Sequence, residues 1–437
     1  MHNAFTRRRF IQHSSLIASA GLATVPAALA SPARPVTESV AITTASDTAH
    51  DEAFWAKIRA QFWLPEHIVQ LENGNWGVMA KPVMASYQKH SFRVNRDSSY
   101  FSRREFWPEQ ESIRKQVAET LGASVDEITF ARGATEVLQS LIGGYSGLQP
   151  GDGVMYADVD YDSMQTAMDW LTQRRQAVVE KISVPEMLSQ SDILDLYRKA
   201  LDDRPHIRLL LLTHVSHRHG QIVPVSGIVA MAKSRGVDCI VDAAHSWGQL
   251  DFTVEELGAD FAAFNLHKWM GAPIGVGVMY IRKPRLDAIE PFMGERAFPA
   301  DDIRGRIHTG TFNYAALLAV PDALAFHHRL GGANKAARLA YLRNYWVSGA
   351  REIPGVDILT ADGVNDHAGI SSFRIKGQAS EQANIAITQR LLHEYGIFTV
   401  HRTGLNSGAC VRVTPALFTV TAELDRLVVA LGNIASV

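Results

Sequence analysis

The sequence predicts an α/β fold: a mostly parallel seven-stranded sheet with helices on both faces, followed by a smaller α+β C-terminal domain. Three observations predict it. From about Glu127 to Arg282, short β-branched runs alternate with helical patterns, the rhythm of successive βαβ units. Beyond about Gly332 that rhythm stops, and one long helical pattern near Glu381–Tyr395 lies between strand-like runs. At 437 residues, against roughly 150 per domain, the chain is long enough for two or three domains.

In chain order, strands are expected at Ile128–Ala131, Val154–Ala157, Val178–Ile182, Ile207–His214, Cys239–Asp242, Ala262–Phe264 and Val276–Ile281. Helical patterns fall between them at Thr135–Gly143, Met164–Arg174, Asp192–Leu201 and Val225–Ser234. Sheets of this kind bind ligands beyond the carboxyl ends of their strands. The polar residues found there are Gly133-Ala134-Thr135, Asp160-Tyr161, His214–His219, Asp242–His245 and His267-Lys268. The domain boundaries that follow are a segment 51–80 contributing to the small domain and to an active-site loop, a large domain 81–330 and a small domain 331–437.

The termini and the charge balance narrow the function. Lys and Arg number 43 against 45 Asp and Glu, so the basic surplus of a nucleic-acid binder is missing. Two cysteines, Cys239 and Cys410, are too few for a disulfide framework. Thr6-Arg7-Arg8-Arg9-Phe10-Ile11-Gln12 precedes a mildly apolar stretch, Leu16 to Leu29, that ends in the small-x-small pattern Ala28-Leu29-Ala30. The stretch is shorter than the roughly 20 apolar residues of a spanning helix, so no stable membrane anchor is expected. Residues 1–30 read as a twin-arginine signal, with the translocase as a transient partner, cleavage near Ala30 and a periplasmic destination. An ordinary Sec signal or an uncleaved basic tail would use the same letters. Residues 31–50 read as a Pro/Ala/Ser/Thr linker.

The chemistry gathers at two strand ends. One strand ends in Asp242-Ala243-Ala244-His245, and 26 positions after Asp242 the next ends in His267-Lys268-Trp269. A carboxylate and a lysine thus project toward one edge of the sheet. Pyridoxal phosphate chemistry needs this pair, the amine to join the aldehyde and the acid to keep the pyridine nitrogen protonated. Taken singly, Asp242 could cap a helix or hold magnesium, and Lys268 could be a surface lysine. Arg132-Gly133-Ala134-Thr135-Glu136 offers a glycine turn and a hydroxyl at a helix start, which suits a phosphate and suits a plain helix cap equally. Tyr161 is placed to lie against a planar ring or to pack in the core.

The order of these residues resembles the fold-type I pyridoxal phosphate enzymes, in particular the class V aminotransferases and their isopenicillin N epimerase-like branch. The resemblance runs from Leu71-Glu72-Asn73-Gly74-Asn75-Trp76-Gly77 to Val411-Arg412-Val413-Thr414-Pro415. It implies pyridoxal 5'-phosphate as cofactor, with Gly133, Ala134 and Thr135 at its phosphate and Tyr161 stacked on its ring. Asp242 would pair with the ring nitrogen, His245 would sit beside the Schiff base formed by Lys268, and His267 would lie near the phosphate. Thr311, in Thr309-Gly310-Thr311-Phe312-Asn313, would reach the phosphate of a neighbouring subunit, which implies a homodimer. Arg412 would fork onto the substrate's α-carboxylate, with Asn75 and Trp76 beside the substrate.

Departures from the family pattern are visible too. Tyr161 stands where a stacking histidine is common, and His217 where an Asn or Ser usually touches the cofactor's phenolic oxygen. Cysteine desulfurases share the scaffold but need a thiolate on a loop shortly before the arginine, where this chain has Gly396-Ile397-Phe398-Thr399; only Cys410 shares a strand face with Arg412. A competing class is a periplasmic metal-binding protein, prompted by 17 histidines and the run His214, His217, His219. No cysteine or carboxylate cluster completes a shell there, so no metal is expected. The expected function is an exported aminotransferase-type enzyme acting on a small-molecule or peptide amino group, with epimerase, racemase or lyase chemistry as alternatives. Exported members of this branch that the chain resembles tailor a siderophore, so a peptide, a siderophore precursor or an envelope metabolite is the expected substrate.

Overall fold

A computed structural model describes residues 45–436. The expected signal, residues 1–30, and most of the expected linker lie outside the described residues. No helix among the described residues is long and apolar enough to cross a membrane.

The seven strands of the large domain are β1 (Ile128–Ala131), β2 (Gly153–Ala157), β3 (Val178–Ile182), β4 (Ile207–Thr213), β5 (Asp238–Asp242), β6 (Phe261–Asn265) and β7 (Gly277–Ile281). Their order in the sheet is β1-β7-β6-β5-β4-β2-β3, and β7 alone runs antiparallel to its neighbours. A sheet covered on both faces requires apolar residues at every position of its central strands. Alternation divides them: Leu210, Leu212, Val241, Phe264 and Val278 pack on one face, and Leu209, Leu211, Ile240, Ala263 and Met279 on the other. Helix α1 (Ala134–Gly144) follows β1, and its apolar positions Val137, Leu138 and Leu141 face the second of these cores.

The small domain is a four-stranded antiparallel sheet of β8 (Val356–Ile358), β9 (Ser371–Ile375), β10 (Val400–Arg402) and β11 (Cys410–Val413), in the order β10-β11-β9-β8. Helix α2 (Glu381–Tyr395) stands where its pattern placed it, capped by the Ser380 side chain and ended by Gly396 at φ 65°.

Part of segment 51–80 pairs with this domain. Val69–Gln70 pairs in parallel with Ile397–Phe398, and Thr414 N donates to Leu71 O at 2.8 Å. The same segment then runs to the large domain, where Gly77 N donates to His267 O at 2.8 Å. One boundary moves: Ala45–His50, assigned to the linker, is a helix docked on the body of the protein. Thr48 O accepts from Trp55 Nε1 at 2.8 Å and Ala49 O from the buried Arg338 Nη1 at 2.9 Å, so these carbonyls have partners that a linker would lack.

Gly77 is fixed by proximity: an added Cβ would come 2.0 Å from Lys268 O. Gly77→Ala is therefore expected to displace one of the two backbones, at about 1–3 kcal/mol. Thermal unfolding checks this, and an unchanged midpoint would contradict the close approach.

Candidate active site

A cleft of about 1010 Å³ opens at the carboxyl ends of the parallel strands and is closed on one side by the small domain. Asp242, His245, His267, Lys268, Gly133, Ala134, Thr135, Tyr161, His217, Asn75, Trp76 and Arg412 all line it. The structure thus gathers every expected site residue except Thr311, which lies on an exposed loop outside this lining.

At the centre, Lys268 Nζ and His245 Nε2 are 2.9 Å apart, and Trp269 Nε1 donates to His245 Nδ1 at 3.4 Å. An indole N–H can only donate, so Nδ1 is the acceptor and the imidazole proton sits on Nε2. Nε2–H then donates to Nζ, which must offer a lone pair. Burial and the charges of Arg412 and Arg402 push the Lys268 pKa down to about 8, which brings this free-amine form within reach near neutral pH. Burial and Lys268 hold His245 well below the usual histidine range. Asp242 ends β5, and its Oδ1 accepts from Ala244 N at 2.9 Å. Burial pushes this carboxyl up, while the Ala244 amide and Lys268 oppose that.

The phosphate end is built at the start of α1. Ala134 N is already spent on Asn265 Oδ1, at 2.8 Å, so Ala134 does not offer the amide expected of it. The first-turn amides left for an anion belong to Thr135 and Glu136, with the exposed Thr135 hydroxyl beside them. Arg132 is paired with Glu136. The His267 ring lies close by, its Cε1 3.6 Å from where a Cβ on Gly133 would stand. His267 Nδ1 donates to Val276 O at 3.2 Å, so Nε2 donates to an anion only when the ring is protonated.

On the opposite wall, Tyr161 is 38% exposed and meets His217 edge-on, with centroids 5.3 Å apart. Arg218 Nη1 lies 3.0 Å from His217 Nε2. A guanidinium never accepts, so His217 carries its proton on Nδ1, a buried donor with no acceptor among the described residues. Such a donor fits an oxyanion, the role expected at this position. The other histidines of the run turn to different partners: His219 to Ser216 and Gln221, and His214 edge-on to Phe252. No group of three His, Cys, Asp or Glu among the described residues could hold a metal ion.

Arg412 departs from expectation. Its Nη2 donates to Glu72 Oε1 and Oε2 at 2.5 and 2.8 Å, and its Nη1 to His217 O at 2.7 Å, with 1% of the residue exposed. The fork expected to bind a substrate carboxylate is thus closed on an internal one. Sequence reasoning missed Glu72 in this role, and it missed Arg402, which also lines the cleft. Alternation from Phe398 through Val400 to Arg402 carried that signal. Cys410 is buried and outside the lining, with its thiol pushed up by burial. No cysteine among the described residues faces the cleft.

Several known proteins resemble this chain in sequence or fold. The chain is 23% identical over 397 residues to the isopenicillin N epimerase of Streptomyces clavuligerus, covering 87% of this chain and 98% of that one. It is 28% identical over 342 residues to the "Probable cysteine desulfurase" of Mycolicibacterium paratuberculosis, covering 74% of this chain but about half, 49%, of that longer one. Among solved structures, a variant of C-DES with glycine covalently linked to its pyridoxal phosphate cofactor superposes with a TM-score of 0.74 at 22% identity, covering 86% of this chain and 99% of that one. The model of the family "Aminotransferase class-V" matches residues 78–427, which take in the whole sheet, the lysine and the arginines of the cleft. The chain belongs to the class-V aminotransferase family of pyridoxal phosphate-dependent enzymes.

Proposed function

We propose that this chain is an exported enzyme that transfers the amino group of a small-molecule or peptide substrate, with Lys268 as its covalent and proton-moving residue. The observation that carries the reading is the Trp269–His245–Lys268 chain of hydrogen bonds, which presents the His245 N–H to the free-amine form of Lys268 in the cleft that Asp242 also lines.

The residues fit pyridoxal 5'-phosphate. His217 Nδ1–H is a buried donor without an acceptor among the described residues, the first turn of α1 keeps free amides, and Asp242 lines the cleft with one oxygen unused by Ala244. When bound, the cofactor supplies an aldehyde for an amine and a ring that withdraws electrons from the substrate's α-carbon. Asp242 would hold the ring nitrogen's proton, Thr135 the phosphate and Tyr161 one face. His245 keeps a proton one hydrogen bond from Lys268 Nζ, so the two hold and return a proton on a single side of the cleft. A relay on one side suits amino transfer. With no cysteine facing the cleft among the described residues, a thiolate-dependent desulfurase has less support. Epimerisation is the second reading, favoured by the nearly end-to-end match to isopenicillin N epimerase.

Two features support the setting. The arginine run and small-x-small site of residues 1–30 support export, and hence a substrate outside the cytoplasm such as a peptide or a siderophore precursor. The exposed position of Thr311 suits a homodimer in which it serves the neighbouring subunit.

Lys268→Ala is expected to abolish both the visible absorbance of the loaded protein and the gain in intact mass after borohydride reduction; persistence of either refutes the assignment. Asp242→Ala should still load cofactor yet slow its conversion by acidic amino donors about a hundredfold or more, followed by stopped-flow absorbance. Burial, Arg412 and Arg402 lower the Lys268 pKa against the opposing pull of Asp242 and Glu72, and this gives a pH dependence. Below about pH 8 the free-amine fraction falls about tenfold per pH unit, so cofactor uptake by the cofactor-free protein should slow on acidification and level off above that pH. A flat rate between about pH 6 and pH 9 would contradict it.

A further inference from the structure

We infer that Lys335 is a positioning residue for the reaction: it grips the peptide next to Lys268 from outside the cleft and so keeps the Trp269 indole on His245. This deepens the proposed function and rests on it for the role of Lys268 only.

The three carbonyls of the lysine turn each have a donor. His267 O accepts from Gly77 N at 2.8 Å and Lys268 O from Gly271 N at 3.1 Å. Trp269 O accepts from Lys335 Nζ at 2.9 Å, so this third carbonyl depends on a side chain where the other two have backbone amides. Lys335 stands on the helix Gly332–Arg351, is 3% exposed and lies outside the lining of the cleft. It reaches the turn from a separate cavity of about 50 Å³ that Lys268 and Trp269 also line. One helical turn further on, Leu339 packs in the same apolar cluster as Trp269, while Leu342 and Trp346 belong to the core of the small domain. One helix thus fastens the tryptophan at two points and roots it in the small domain.

An amine is costly to bury, and burial pulls this one down to about 7. Its Nζ lies 3.0 Å from His327 Nδ1 and is otherwise turned to Trp269 O. Charged or neutral, an amine keeps N–H groups to donate, so the bond to Trp269 O survives its titration. The consequence runs through the indole. With the Trp269 peptide fixed, Nε1–H stays on His245 Nδ1, and the imidazole proton stays on Nε2, facing the free amine of Lys268. With the peptide released, His245 is free to carry its proton on Nδ1 and to accept at Nε2. An accepting Nε2 favours the ammonium form of Lys268, so loss of Lys335 should raise the Lys268 pKa. The other titratable or charged groups facing Lys268 are Asp242, Glu72, Arg402, Arg412, His217 and His267, and none of them touches Lys335.

Trace labelling of the cofactor-free full chain with acetic anhydride, read at the Lys268 peptide by mass spectrometry across a pH series, measures that amine directly. Lys335→Met, which keeps the length of the side chain and removes its donor, should move the midpoint up by about half to one pH unit, so that labelling at pH 7 falls about three- to tenfold. Trp269→Phe, which keeps a ring and removes the N–H, should shift it the same way. The double variant should shift no further than the larger single one, because the two residues act through one chain of contacts. Lys335→Ala carries the same expectation and stands in if the methionine variant is unstable. A wild-type midpoint in a folded Lys335 variant overturns the inference even if thermal stability is lost, since the lysine is then structural only. A wild-type midpoint in Trp269→Phe, or fully additive shifts in the double variant, overturns it too. Failure of the wild-type protein to take up pyridoxal phosphate would instead sink the proposed function and leave this comparison readable, because no cofactor is present in it.

Discussion

The buried ion pair between Glu72 and Arg412 is the contact on which the cleft depends. Its partners are 340 residues apart and belong to the N-terminal segment and to β11, and the arginine also reaches the His217 carbonyl beyond β4. Three separate stretches of chain are thereby held at one point. Desolvating two ions is costly, and such pairs add little net stability, but removing one partner leaves a buried charge that costs about 3–5 kcal/mol. The pair therefore acts as a constraint on geometry. It also sets a carboxylate supplied by the protein on the arginine that the family resemblance reserves for a substrate.

Protonation in the cleft follows from donors that cannot accept. Trp269 sets the tautomer of His245, and Arg218 sets that of His217. One imidazole thus offers its proton to a lysine, and the other holds a proton toward the space a ligand would fill. Neither histidine needs a charge to do so, in agreement with the burial that keeps both well below the usual range. Trp269 and Arg218 are positioning residues in this arrangement.

Much of this was legible in the sequence for a local reason. Parallel strands buried on both faces are continuous apolar runs, so β1 to β7 could be read, and the residues suspected just past their carboxyl ends line one cleft. Asp242, His245 and Lys268 came from that rule. What stayed hidden depends on contacts between distant parts of the chain. Nothing near Arg412 announces Glu72, and nothing in Ala134 tells that Asn265 takes its amide. The Ala45–His50 helix is too short to show a period, and its anchor, Arg338, is nearly 300 residues away. Arg402 was readable by alternation, but the short β10 gives only a single repeat of it.

The path of residues 69–77 has a mechanical consequence. This strap is stitched to the small domain by a strand pair at Val69–Gln70 and touches the lysine turn through the Gly77–His267 hydrogen bond, with no room between Gly77 and the Lys268 carbonyl. Any hinge-like closing of the small domain over a captured molecule would be transmitted along the strap to the peptide that carries the amine. Seating of the guest and aiming of the nucleophile would then be geared together as one movement.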